Sequence, residues 1–483
     1  MVKNVLLLGS GFVAQPVVDV LSATEGINVT VACRTLSKAQ GLAKASGSNA
    51  ISLDVSNDQQ LDAALSQHDL VISLIPYIYH PNVVKSAIRL KKDVVTTSYI
   101  SPALKELEPQ IKEAGITVMN EIGLDPGIDH LYAVKTIDEV HKAGGKIKSF
   151  LSYCGGLPAP EDSDNPLGYK FSWSSRGVLL ALRNSAKYWK DGKIETVSSE
   201  DLMASAKPYF IYPGYAFVCY PNRDSTLFKE LYEIPEAETV IRGTLRYQGF
   251  PEFVKVLVDM GMLQDEQNKI FSKPVAWNSA LAQFLGSKSS SKEDLVASID
   301  SKTKWQSDED RERILSGLAW LGLFSDNVIT PRGNALDTLC ATLEELMQYE
   351  EGERDMVALQ HKFGIEWADG TTEVRTATLV DYGKPEGYSS MAATVGYPAA
   401  IATKFVLDGT IKGPGLLAPY SPEINDPIMK ELKDNYGIYL KEKTIAWSGS
   451  SSFSCNFIIP EKLVFLSNYI AFSLANLNYY YIS

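Results

Sequence analysis

Three groups of residues have types and spacings suited to chemistry. The first is Gly9-Ser10-Gly11-Phe12-Val13-Ala14, which directly follows the apolar run Val5-Leu6-Leu7-Leu8. A G-x-G-x-x-A turn between a buried strand and a helix cradles a dinucleotide pyrophosphate. Gly9 permits the tight turn, Gly11 lets backbone approach the phosphates, and Ala14 lets the helix pack close. The second group ends the next apolar strand, where an NAD site would place an acid for the ribose 2′-hydroxyl. Here stand Arg34, Thr35, Ser37 and Lys38, a guanidinium with two hydroxyls, which would bind a 2′-phosphate that a carboxylate would repel. The expected cofactor is therefore NADP(H), and the expected chemistry is hydride transfer. The third group could hold a substrate. In Val240-Ile241-Arg242-Gly243-Thr244-Leu245-Arg246, strand period puts Arg242, Thr244 and Arg246 on one face. With Arg223 in a turn-rich segment nearby, this set could grip more than one carboxylate bidentately, or form a solvated outer face with surface pairs of little worth.

The elements that must position these groups follow from the pattern. Strand-like runs at 50–55, 69–76, 93–99 and 115–121 alternate with helix-period segments such as 81–89 and 102–113. This predicts a variant Rossmann domain, a parallel doubly wound α/β sheet whose ligands sit beyond the carboxyl ends of its strands. The tips to inspect are Asp54-Val55, Leu74-Ile75-Pro76, Ser98-Tyr99 and Gly123-Leu124-Asp125. Asp125 is the acid nearest the expected nicotinamide, and the Tyr99 phenol could bind substrate or move a proton. His130 follows at a helix start, where packing or capping competes with a proton-carrying role. Cys154-Gly155-Gly156-Leu157-Pro158 reads as a turn after a strand, and Cys154 has no basic neighbour to make it a nucleophile. Trp173 could lie over the cofactor or pack in a core.

Beyond residue 147, β-branched and aromatic runs at 148–154, 239–248, 357–367 and 373–382 predict a second, mixed α/β sheet. Helix-period segments at 253–260, 276–285, 308–321 and 336–350 predict a helical insertion between its strands, with polar stretches such as 287–293 joining them. Helical segments at 389–406 and 427–435 should return the chain to the first domain, so that it crosses between domains twice. The expected division is 1–125 with 388–446 for the cofactor, 126–250 with 353–387 for substrate and dimerisation, and 251–352 helical. The stretch 447–483 reads as an atypical tail. It carries no charge after Lys462, yet its asparagines, serines and tyrosines and its lack of a basic flank make a poor membrane span. We expect an extension foreign to the fold rather than an anchor.

With 483 residues, 45% of them hydrophobic, the chain can bury more than one core. A formal charge of −12 argues against nucleic acid or an acidic membrane as partner. Its 5 cysteines and 5 histidines are dispersed without metal-ligand spacing, so no metal is expected. Free thiols, and a first strand that begins almost at Met1 with no room for a leader, point to the cytoplasm.

Residues 1–446 resemble the fungal saccharopine dehydrogenases that form L-glutamate, also called saccharopine reductases. The likeness rests on the glycine loop, Ser73-Leu74-Ile75-Pro76-Tyr77, His80-Pro81, Glu121 through His130, and Ser152 through Pro158. Phe171-Ser172-Trp173-Ser174 and Tyr247-Gln248-Gly249-Phe250 extend it. The resemblance implies a homodimer in which glutamate and α-aminoadipate semialdehyde condense to an imine that NADPH reduces to saccharopine, in lysine biosynthesis. It implies substrate contacts at Ser98, Tyr99, Asp125, Arg223, Thr244 and Arg246. Cofactor contacts would fall on the glycine loop, Arg34 and Thr35, Asp54-Val55, Ile75 and Gly123-Leu124-Asp125. Asp125 would stabilise the positive imine, with Tyr99 as proton relay. Two rivals share the scaffold: a carboxyspermidine-type imine reductase, and a non-catalytic NADP(H) sensor.

Overall fold

A computed structural model describes residues 2–447. The expectation for the tail after 447 lies outside the described residues. The first sheet begins with β1 (Lys3–Leu8), β2 (Ile27–Cys33), β3 (Asn49–Ser52), β4 (Leu70–Ser73), β5 (Asp93–Thr96) and β6 (Thr117–Met119). All of their pairings are parallel. Val5, Leu6, Leu7 and Leu8 are fully buried, because helices cover both faces of a parallel sheet and every position of a central strand faces a core. β1 lies between β2 and β4, so the strand order reverses there and a crevice opens beyond their carboxyl ends.

The second sheet holds β7 (Lys146–Pro158), β8 (Ala186–Lys190), β9 (Lys193–Val197), β10 (Lys207–Tyr209), β11 (Phe217–Pro221), β12 (Thr239–Tyr247), β13 (Asp355–Glu366) and β14 (Thr372–Tyr382). β12 and β7 run parallel while their outer neighbours run antiparallel, giving the expected mixed sheet. Two late strands divide between the sheets: β15 (Gly415–Leu417) pairs with β6, and β16 (Lys441–Trp447) pairs with β14.

This corrects two expectations. The stretch 441–446 was grouped with the cofactor layer, but it adds to the second sheet, so the chain passes between the sheets once more than expected. Nor is Cys154-Gly155-Gly156-Leu157-Pro158 a turn, since β7 continues straight through it. Its glycines serve close approach instead. A Cβ on Gly155 would lie 2.8 Å from the Leu245 carbonyl oxygen, and one on Gly156 would collide with the Met391 methyl.

Between β12 and β13 the chain is helical, as its period predicted, with helices Phe250–Asp259, Trp277–Leu285, Lys292–Asp300, Asp308–Trp320 and Ala335–Leu346. Ser291, Ser307 and Asn334 each cap the following helix by accepting from a backbone N–H in its first turn. Phe253, Leu281, Leu318 and Leu339 join Tyr153 and Leu245 of the second sheet in one core. A different core contains Val5, Leu7 and Val17 together with Val357, Leu359 and Ala377, so it spans both sheets. The helix Ser390–Asp408 contributes Ile401 and its neighbours to it. That helix also lies against the glycine loop: a Cβ on Gly396 would stand 2.9 Å from the Pro16 ring and 3.1 Å from the Val13 carbonyl oxygen.

Candidate active site

The cofactor end is built by the loop after β1. Gly9 has φ +112°, and a Cβ there would sit 2.7 Å from the Leu74 carbonyl oxygen, so only glycine brings this loop against the end of β4. The helix Gln15–Ser22 that follows has no side-chain cap and no acid in its first turn, leaving its positive end open to an anion. At the end of β2, Arg34 and Thr35 are exposed. The Thr35 hydroxyl does not cap the helix Leu36–Lys44, although Thr35 stands at its N-cap position. Asp54, at the end of β3, is turned onto Ser56: its Oδ1 accepts from the Ser56 N–H at 3.0 Å and hydroxyl at 2.7 Å. Those bonds, and more weakly the Arg34 charge, hold its carboxyl below the usual range. Among the described residues no acid forms an ion pair with Arg34, which leaves its guanidinium available to a 2′-phosphate. The residues present therefore fit NADP(H).

The substrate end begins where β5 and β6 stop. Tyr99 Oη donates to Asp125 Oδ1 at 2.7 Å, and Arg242 Nη2 donates to the same oxygen at 2.7 Å and contacts Tyr99 Oη at 3.1 Å. The same Nη2 also bonds Asp129, which lies in the first turn of the helix Ile128–Lys142 and accepts from the Gly127 N–H at 2.6 Å. Burial raises the Tyr99 phenol well above its ordinary pKa, and the neighbouring carboxylates add to this against the opposing field of Arg242. Tyr99 is therefore a proton-bearing phenol. Burial opposes the charge on Arg242, yet Tyr99 and the two aspartates hold its pKa well above the ordinary guanidinium value. Two carboxylates and one guanidinium give the cluster one net negative charge. Asp125 Oδ2 has no hydrogen-bond partner among the described residues, and that side chain retains 18% exposure.

Beside this cluster, His80 bridges the strand tips: Nδ1 meets Ser73 Oγ at 2.9 Å, and Nε2 meets Ser98 Oγ at 2.9 Å and Thr96 Oγ1 at 3.1 Å. Burial lowers its pKa to about 4, so a neutral imidazole fixes the Ser98 hydroxyl. Arg223 has left-handed backbone (φ +50°) and lies 5.4 Å from the Tyr99 ring. Tyr99, Arg223, Arg242, Asn222 and Glu121 contribute to a pocket of about 200 Å³.

Residues 5–119 match the saccharopine dehydrogenase NADP binding domain, and residues 123–438 match the saccharopine dehydrogenase C-terminal domain. The chain belongs to the saccharopine dehydrogenase family. It is 85% identical over 444 residues to the saccharopine dehydrogenase [NADP(+), L-glutamate-forming] of Saccharomyces cerevisiae, covering 92% of this chain and 100% of that one. The Schizosaccharomyces pombe enzyme of the same name is 60% identical over 447 residues, covering 92% of this chain and 99% of its own length. The mitochondrial α-aminoadipic semialdehyde synthase of Bos taurus is 41% identical over 92% of this chain, which corresponds to 48% of that longer protein. A solved apo saccharopine dehydrogenase (L-Glu forming) from Saccharomyces cerevisiae superposes with a TM-score of 0.86, over 92% of this chain and 100% of that one at 85% identity.

Within this saccharopine dehydrogenase family member, the structure gathers Ser98, Tyr99, Asp125 and Arg223 around one another, whereas Thr244 and Arg246 stand further along β12. Thr244 Oγ1 accepts from Asn222 Nδ2 at 3.0 Å. Of the three residues that strand period put on one face, Arg242 is not free for substrate, because Asp125 and Asp129 already occupy it. Trp173 is half-buried between the two cores. His130 is packed, as its rival reading held: Nδ1 meets Tyr232 Oη at 2.6 Å and Nε2 meets Glu121 Oε2 at 2.9 Å. Glu121 also accepts from Tyr420 Oη at 2.6 Å and from the Ile100 N–H at 2.9 Å. The residues that sequence reasoning missed are therefore Arg242 as the counter-ion, Asp129 as its second partner, and His80 as the holder of Ser98. A carboxylate four positions after Asp125 was the available signal for Asp129.

Proposed function

We propose that this chain reduces the imine formed from L-glutamate and L-α-aminoadipate 6-semialdehyde to saccharopine, reversibly, in lysine biosynthesis. It is an NADP-dependent oxidoreductase, and NADPH supplies the hydride when bound. The glutamate amine attacks the aldehyde carbon to give a carbinolamine, which loses water to form the imine. Each step moves a proton, and the Tyr99 phenol, hydrogen-bonded to Asp125, is the group placed to relay it. The imine is positively charged when it is reduced. The net negative Asp125–Arg242–Asp129 cluster stabilises that charge, and Asp125 Oδ2 is the accessible oxygen that faces it. Ser98, held by neutral His80, with Thr244, Arg223 and Arg246, positions the carboxylates of the substrates.

One observation carries this reading. The Asp125–Tyr99 pair is mounted on the turns that end the cofactor sheet, and the arginine-bearing strand β12 reaches it from the other sheet. The rival enzyme would have to place a polyamine chain between arginines, and a sensor has no use for a relay. The cofactor contacts in this reading are Gly9 to Val13, Arg34, Thr35, Asp54, Val55, Ile75, Gly123, Leu124 and Trp173. A homodimer in the cytoplasm belongs to the same reading, and the unpaired Cys33, Cys154, Cys219 and Cys340 are compatible with a reducing compartment. Among the described residues no helix is long and apolar enough to cross a membrane. The test is NADPH oxidation with α-aminoadipate semialdehyde, with and without glutamate. Turnover that requires both, and fails with lysine plus 2-oxoglutarate, is expected. Turnover with a polyamine in place of glutamate would overturn the reading.

A further inference from the structure

Arg242 and Arg246 lie on the same face of β12, yet their surroundings differ in kind. Arg242 has two carboxylates. Arg246, only 7% exposed, forms no ion pair with any described residue. A buried guanidinium without a counter-charge is costly unless a ligand supplies one. Its Nη1 donates to the Leu245 carbonyl at 2.8 Å, which leaves Nε and Nη2, the edge that meets a carboxylate side-on. Nε is buried with no partner. The guanidinium carbon lies 4.9 Å from the Tyr169 ring centre and 5.2 Å from that of Phe250, so aromatic rings hold the plane of the fork.

Two hydroxyls from the segment before Trp173 share this condition. Tyr169 Oη and Ser172 Oγ are both buried, at 1% and 4% residue exposure, and among the described residues neither makes a well-formed hydrogen bond, although the Trp173 indole stands within reach of the phenol. Ser172 Oγ lies 3.6 Å from where a Gly156 Cβ would be, beside the Met391 methyl that packs onto that glycine, and so stands next to β7 where it runs alongside β12. We propose that Arg246, Tyr169 and Ser172 together form a carboxylate-binding subsite in which the two hydroxyls determine specificity. A carboxylate offers about four lone-pair positions, enough to accept from the arginine fork and from both hydroxyls. This deepens the functional reading above and rests on it in taking the carboxylate to be one of those carried by saccharopine.

The experiment compares wild type with Tyr169→Phe, Ser172→Ala and the double variant. It measures steady-state constants for saccharopine oxidation, and binding of saccharopine and of NADPH by calorimetry. Loss of each charge-assisted hydrogen bond should raise the KM and Kd for saccharopine about tenfold. The kcat and the NADPH Kd should stay within about twofold, because the proposed subsite holds a substrate carboxylate and not the cofactor. A saccharopine KM and Kd unchanged in the double variant would overturn the subsite, as would a parallel loss of NADPH binding, which marks a purely structural role. Failure of the functional reading is separate: the wild type would not turn over saccharopine. Calorimetry of saccharopine on the same proteins would still decide the subsite.

Discussion

Replacing Asp125 by asparagine isolates its charge. The amide oxygen can still accept from Tyr99 and Arg242, which both bond Oδ1, so the local geometry should survive. Asp129 continues to neutralise Arg242, and the cluster charge changes from one negative to zero. A unit charge about 4 Å from a cationic imine is worth about 4 kcal/mol at an effective dielectric of about 20. Asp125 keeps 18% exposure, and water reaching it reduces this to about 2–4 kcal/mol. The expected fall in the rate of imine reduction is therefore about 30- to 1000-fold. Single-turnover NADPH oxidation with both substrates saturating reports that step, and a fluorescence titration gives the NADPH Kd. A loss of rate under about threefold would mean that positioning alone accelerates the reaction and that Asp125 stabilises no charge. A weakening of NADPH binding equal to the loss of rate would show that the residue serves the cofactor instead.

Three further outcomes follow from the same geometry. Arg242→Met leaves Asp129 buried at 1% exposure without its cation, and should cost about 3–5 kcal/mol in urea unfolding, whereas Arg223→Met at its exposed position should change stability little. Arg34→Ala should weaken NADPH binding about 10- to 100-fold and leave NADH binding nearly unchanged, since the guanidinium serves only the 2′-phosphate. His80 titrates at about 4 when folded and near the ordinary 6.5 when unfolded, so its contribution is complete above that upper value and is lost as pH falls through the window. The loss is at most about 3 kcal/mol, and in a series of unfolding curves His80→Gln should flatten the dependence of stability on pH by about one proton.

The cofactor half was legible because its signals are local. The turn after β1, the uncapped helix and Arg34 fall within one βαβ unit, and spacing alone orders them. The helical stretch before β13 was legible for the same reason: long helix-period segments announce it. Short strands were not. β10 and β15 have three residues each, too few to show alternation, and β16 was assigned to the wrong sheet because pairing with β14 is a non-local choice. The substrate end was half legible. Alternation correctly put Arg242 and Arg246 on one face, but strand period cannot reveal which arginine meets carboxylates from another element. Asp129 is more than a hundred positions from Arg242 in sequence, and only the folded chain brings them together. The glycine pair in β7 was misread as a turn because glycine also marks close approach, and sequence does not separate the two uses.

The helix Ser390–Asp408 has a mechanical consequence. Met391 rests over Gly156 on the substrate sheet, Val395 lies 3.5 Å from where a Gly123 Cβ would be on the turn that carries Asp125, and Gly396 presses on the ring of Pro16 in the dinucleotide helix. Those three contacts fall within six residues, five helical steps or about 7.5 Å of helix. The span that hydride must cross is thus set by a rod rather than by loops. Substitutions at Gly156 or Gly396 would act as spacers, lengthening the donor–acceptor distance while leaving every residue that touches a ligand unchanged.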